Sequence, residues 1–289
     1  MDLHLNSRTS FGDAELTLAT DLSLYRVRYY VLSVGQSEHC ITKKLRESVV
    51  SCGKTETQME VVIGVDGMSM PASEYYDHLV KSLTRHGKIL SPAELGCALS
   101  HVAIMRRFIA SSAEIAVVFE EDAMFDAYSF EILRSSLQFI GPNDILVAGC
   151  QQGLEPLGPI FGCKIEKSEC YIVHKHYWTA VKRTCAYAVG KCAADHIVHV
   201  QTEGLWGADD FRVLCPSNGR LLFCRAFSHP QNLTASLLER ERTMKTKLSR
   251  PRRLLLRVLD ECWQSVRARS VRLRGWLRRV TSRLEPIAK

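Results

Sequence analysis

The chain has 289 residues, 46% of them hydrophobic, which suits one large globular domain or two small ones; no apolar run approaches the length a transmembrane helix needs. The net charge of +7 is unevenly placed: residues 245–289 hold 14 Lys and Arg against Asp260, Glu261 and Glu285, a net of +11, which leaves residues 1–244 at −4. The basicity therefore belongs to a C-terminal module, and the body has no basic patch interleaved with aromatics, so no nucleic-acid partner is expected.

Residues 1–24 are polar without sustained periodicity, and their opening, MDLHLNSRTSFGDAEL, has neither the basic nor the apolar region of a secretory signal peptide; they read as a loose leader. A domain is expected over residues 25–244. Its first strand is predicted at residues 29–34, followed by a helix-like segment near 40–50 and a second strand at 60–65 that ends in the turn Asp66-Gly67. Ser91, Pro92 and Glu94 form a capping box for a helix whose apolar face continues through Leu95, Leu99, Val102 and Met105, with Gly96, Cys97 and Ala98 permitting close packing. Strands are predicted at 115–119 and 144–148. Strand, helix, strand in this order implies a three-layer α/β domain with a mostly parallel sheet. Residues 149–171 read as a loop near the sheet's carboxyl edge, residues 186–198 as a helix, and residues 205–211 carry the acidic pair Asp209-Asp210. The 11 cysteines form no CxxC pair, and the seven-residue spacings Cys163/Cys170 and Cys185/Cys192 do not suit zinc, so they read as reduced thiols used as small apolar residues.

From Arg250 onward Leu255, Leu259, Cys262, Val266, Leu273, Leu277, Val280 and Leu284 mark one helical face surrounded by arginines. As a helix this segment spans about 50 Å and is too basic to cross a bilayer. Residues 245–289 are expected to lie on an anionic membrane through Leu255, Leu259, Trp263, Leu273, Trp276 and Leu277, with Gly275 dividing the helix into two pieces. Docking on a partner or on the catalytic domain, and contact with nucleic acid, are the competing readings of this segment.

The densest chemical signal is Glu120-Glu121-Asp122 directly after the apolar Ala116-Val117-Val118-Phe119. Three carboxylates at the mouth of a buried strand repel one another unless a cation sits there, and a divalent metal carrying a nucleotide diphosphate suits that place. Acids also favour helix N-termini, the plainer reading of the triplet. Ligands of open α/β sheets bind outside the carboxyl ends of the strands. Asp66, the acidic triplet and the loop after Ala148 all fall at such ends.

Three strings in order, GVDGMSM (64–70), ELGCALSH (94–101) and VVFEEDA (117–123), resemble glycosyltransferase family 25, which includes bacterial lipooligosaccharide galactosyltransferases and the collagen galactosyltransferases. RTCAYAV (183–189), ADDF (208–211) and the segment from His229 to Ser236 are similar to further family motifs, so the likeness spans about residues 28–238. The resemblance implies a GT-A-like nucleotide-sugar-binding fold and transfer from a UDP-sugar, UDP-galactose foremost, with inversion. The acceptor would be a glycolipid such as lipooligosaccharide or lipopolysaccharide, or an oligosaccharide, and the place the cytoplasmic face of the inner membrane. The family's collagen-directed branch fits less well, given the polar leader and the ending EPIAK. Carried over by position, Glu120, Glu121 and Asp122 would hold Mn2+ or Mg2+ and the donor. Asp209 or Asp210 would be the general base, and Asp66, Glu94, His101 and Arg183 would line the donor site. Glu94 is equally explained by capping and His101 by packing. His229 is either an ordinary loop residue or a nitrogen ligand to the metal. Two departures stand out: Glu121 replaces the family's central Asp, and no arginine occurs between Val31 and Lys43. They keep open a weak or inactive nucleotide-sugar-binding relative tethered to the membrane.

Overall fold

The computed structural model describes residues 26–33, 43–45, 47, 59–150, 160–229 and 285–288. The expected leader and the six membrane-contacting positions from Leu255 to Leu277 lie outside them. The apolar runs form β1 (Val27–Ser33), β2 (Met59–Ile63), β3 (Ile115–Glu120) and β4 (Ile145–Gly149), each within two residues of its expected ends. Helix α1 spans Ala72–His86, and α2 spans Pro92–Ala110. The capping box is made as read: the Ser91 hydroxyl accepts from Glu94 N at 3.2 Å, and Glu94 Oε2 accepts from Ser91 N at 2.8 Å. Helix α3 (Ser129–Leu137) follows β3.

Two expectations are corrected in the second half. Residues 149–171 are not one loop, because β5 (Ile160–Lys164) lies inside them, antiparallel to β6 (Tyr171–Val173). The helix expected over 186–198 begins only at α4 (Lys191–Glu203); before it, Ala186–Gly190 is strand β7, buried at all five positions. Its alanines suit a helix in isolation, but a strand covered on both faces needs only small or apolar residues throughout. The described chain is completed by a 3-10 turn (Lys175–Ala180), the short helix α5 (Phe211–Leu214), β8 (Leu221–Phe223) and β9 (Glu285–Ala288).

The sheet runs β2-β1-β3-β7-β4-β8-β6-β5-β9. Its pairing is mixed rather than mostly parallel: β2, β1 and β3 are parallel, as are β4 and β8, but β7 wedges antiparallel between β3 and β4, and β6, β5 and β9 pair antiparallel beyond β8. The three layers are as expected. Tyr30, Leu32 and Val118 pack under Ile104, Met105 and Phe108 of α2 and Ala194 and Ile197 of α4. The alternate residues Tyr29, Val31, Val117 and Phe119 face Phe130, Leu133 and Leu137 of α3. β1, β2, β3 and β4 share one direction, so their carboxyl ends open on one edge. Among the described residues no helix is long and apolar enough to cross a membrane.

Candidate active site at the carboxyl edge of the sheet

Glu120 closes β3, its backbone N–H donating to Cys185 O at 2.8 Å at the start of β7. It continues the alternation of Ala116 and Val118, so its side chain falls on the α2 side of the sheet. The chain then turns, with Ala123 N donating to Glu120 O, and Met124 pairs as an antiparallel bridge with Ser228. Phe227 packs edge-on against Phe119, Phe125 and Phe130 and fixes both segments beneath the bridge. His229 is thereby carried to the acidic triplet. Its Nδ1 lies 3.3 Å from Asp122 Oδ2 and its Nε2 lies 3.8 Å from Glu120 Oε2. Burial works against a charged imidazole here, but the Asp122 hydrogen bond and the charges of Asp122 and Glu120 outweigh it and raise the His229 pKa.

Glu120, Asp122 and His229 each offer one ligand atom, all within 4.8 Å of one another. Asp122 Oδ1 is buried and makes no hydrogen bond among the described residues. Two carboxylates, one of them with an orphaned oxygen, and one imidazole fit a divalent cation that takes oxygen and nitrogen ligands. Glu121 turns elsewhere: its Oε2 accepts from the Ser33 hydroxyl at 2.6 Å, at the end of β1. On the other side of Glu120, His101 Nε2 stands 3.7 Å from Oε1, and His101 Nδ1 lies 2.8 Å from the Tyr187 hydroxyl. Beneath the acids, burial first and then the charges of Glu120 and Asp122 push the Cys185 thiol far above its usual pKa, so it stays protonated. Burial likewise pushes Cys170 up to about 11, in keeping with the expected role of these two cysteines as small apolar residues.

The remaining expected residues fall into three places. Asp66 sits three residues beyond β2, where its carboxylate accepts from Met68 N and from the Ser69 hydroxyl, and these bonds hold its pKa below the usual range. Glu94 is engaged in the capping box. Asp209 Oδ1 accepts from Lys182 Nζ at 3.2 Å and its Oδ2 from Arg183 N at 3.0 Å; its charge reaches Cys150 at the end of β4. Arg183 holds a left-handed backbone, φ 57°, which a non-glycine residue keeps only where its surroundings demand it, and its charge is felt at His229. Asp210 is turned the other way, paired with Lys88 beyond α1. Cys97, Lys182 and Tyr187 are not among the expected site residues; of these only Cys97, four residues before His101 on one helix, left a readable trace.

Among curated proteins no relative matches the chain. Several solved structures are similar to it at low identity. A mannose-1-phosphate geranyltransferase from Thermus thermophilus is 11% identical over 69% of this chain and 74% of its own, at a TM-score of 0.40. The inositol-1-phosphate CTP transferase of T. maritima is 12% identical, covering 74% and 91%, at 0.41, and an apo UDP-glucose pyrophosphorylase is 11% identical, covering 77% and 100%, at 0.40. Such distant likeness assigns neither activity nor ligand. The stretch that builds β1 to β4, residues 29–153, matches the model of glycosyltransferase family 25 (LPS biosynthesis protein), the family that residues 64–70, 94–101 and 117–123 resemble.

Proposed function

We propose that the protein is a metal-dependent, inverting glycosyltransferase that moves a sugar, galactose from UDP-galactose, to a cell-surface glycolipid such as lipooligosaccharide. The observation that carries this reading is the convergence of Glu120, Asp122 and His229 at the carboxyl edge of the sheet, with one buried carboxylate oxygen unpartnered among the described residues, inside a domain whose first half matches family 25.

Glu120, Asp122 and His229 would hold Mn2+ or Mg2+, which when bound neutralises the donor's diphosphate as the leaving group takes up charge. Glu121, steadied by Ser33, would reach the nucleotide ribose, with Asp66 facing the nucleotide and Arg183 and His101 lining the donor pocket. Inversion needs one base. Asp210 is a poor choice, since its side chain is only 12% exposed and bound to Lys88. Asp209, 32% exposed and oriented by Lys182 and the Arg183 N–H, takes the role. It accepts the acceptor hydroxyl's proton while that oxygen bonds to the anomeric carbon and the bond to the diphosphate breaks on the opposite face. Any carboxylate is a weak base, so positioning must supply much of the acceleration. The basic segment 245–289 would keep the enzyme on the cytoplasmic leaflet, where a lipid-linked acceptor lies.

The test is UDP release from UDP-galactose with a glycolipid acceptor, in manganese and in chelator, for wild type and Asp122→Ala. Loss of several kcal/mol of charge stabilisation predicts a fall on the order of 100-fold or more in either case. Activity indifferent to both chelator and substitution defeats the proposal. The engagement of Asp209 and Asp210 by Lys182 and Lys88 favours a second reading, a nucleotide-sugar-binding protein without turnover. Donor affinity with no UDP release across a broad acceptor panel would support that one.

A further inference from the structure

Cys97 and His101 lie one turn apart on α2, so both project over the same patch of sheet, toward the end of β3. The Cys97 sulfur, a His101 ring nitrogen and a Glu120 carboxylate oxygen lie within 4.8 Å of one another. The His101 side chain is more than nine-tenths buried, 8% exposed, and its Nε2 makes no hydrogen bond among the described residues. That atom faces Glu120 Oε1 at 3.7 Å, too far for a hydrogen bond. A buried polar nitrogen left in this way is costly. The gap nevertheless suits two ligands of one tetrahedral ion, which stand about 3.3–3.8 Å apart when each bond is about 2.0–2.3 Å. The Tyr187 hydroxyl on His101 Nδ1 fixes the ring in the orientation an outer-shell partner gives a metal-bound histidine.

We propose that Cys97, His101 and Glu120 form a second cation site, specific for a thiophilic divalent ion such as Zn2+, with water as the fourth ligand. The thiolate sets it apart from the neighbouring group of Glu120, Asp122 and His229, whose donors suit a harder ion. Glu120 serves both: Oε1 faces His101 and Oε2 faces His229, the arrangement of a carboxylate that bridges two adjacent ions. The site does not depend on sugar transfer.

Cobalt titration of the full-length, metal-free protein tests it, because a thiolate ligand to Co2+ gives a charge-transfer band in the near ultraviolet that carboxylates and imidazole do not. The band should appear in wild type, persist in Asp122→Ala and vanish in Cys97→Ser. His101→Gln should weaken cobalt binding by at least the roughly tenfold that outer-shell changes cost. Zn2+ should displace the cobalt. No band in wild type, or a band that survives in Cys97→Ser, overturns the proposal. If Cys97→Ser does not fold, alkylation of the wild-type protein decides: Zn2+ must slow iodoacetamide labelling of Cys97 mapped by mass spectrometry, and equal labelling with and without Zn2+ overturns the site. A protein that shows the band yet releases no UDP leaves this site standing while the enzymatic reading falls.

Discussion

A Cβ built on Gly67 would come within 1.8 Å of the Pro92 carbonyl oxygen, and one on Gly96 within 2.5 Å of the Val65 carbonyl oxygen. Ser100 completes the contact, its hydroxyl accepting from Val65 N and donating to Gly96 O. Segments 64–70 and 94–101 thus meet backbone to backbone, and part of their pattern is explained by packing before any ligand is considered. Gly96→Ala should therefore destabilise the fold by about 1–3 kcal/mol or more, read as a lower urea midpoint with unchanged slope. A midpoint equal to wild type would remove that explanation. His229 offers a pH test. Its folded pKa is raised, so its stabilising contribution is fully present below the unfolded value of about 6.5 and is lost as pH rises through the folded value. The metal-free protein should lose stability over that window, and divalent cations, which compete with the proton, should bind more tightly across it. Asp122→Asn should bring the His229 titration, followed by NMR, back down; an unmoved titration would mean that Asp122 is not its partner.

At the level of elements, legibility follows how local the cause is. β1 to β4 are apolar runs bounded by turns, and α2 carries its start signal in three residues, so these were readable from the chain alone. α1 was missed because its first residue follows Pro71 with no side-chain cap, and β6 and β8, three residues each, are too short for a periodic signal. β7 was misread because its strand character comes from burial between β3 and β4, a tertiary cause. The candidate site shows the same division. Glu120 and Asp122 were visible as charge against an apolar run. His229 joins them only through the Met124–Ser228 bridge, more than a hundred residues away in sequence. The capping box separates two roles for Glu94. Ser91→Ala should cost about 1 kcal/mol of stability. Glu94→Gln keeps an acceptor for Ser91 N and should cost less than about 0.5 kcal/mol. If Glu94 also touches the donor, that same variant raises KM for the UDP-sugar; an unchanged KM confines Glu94 to the cap.

Across the whole molecule, charge and sheet order act at opposite ends. The strands that frame the candidate site, β1, β3, β7 and β4, lie toward one side of the sheet, while β9 pairs with β5 at the far edge. The body through residue 244 carries −4 and residues 245–289 carry +11, so an anionic bilayer attracts one segment and repels the rest. On such a surface that asymmetry would orient the protein as well as recruit it. Each basic residue near such a surface contributes about 1 kcal/mol, and at physiological salt the attraction fades within a Debye length of about 8 Å. The full-length protein should therefore co-sediment with vesicles containing anionic lipid but not with zwitterionic ones, and should be released as salt is raised. Replacing Arg252, Arg253, Arg257, Arg272, Arg274 and Arg278 with glutamine keeps β9 intact and removes six charges. Even if each is worth half its nominal value, binding should weaken by about 100-fold, with UDP release to a water-soluble acceptor unchanged. Equal sedimentation with both kinds of vesicle, or binding indifferent to the six substitutions, would overturn recruitment by the charge of the basic segment, since an electrostatic anchor must follow headgroup charge.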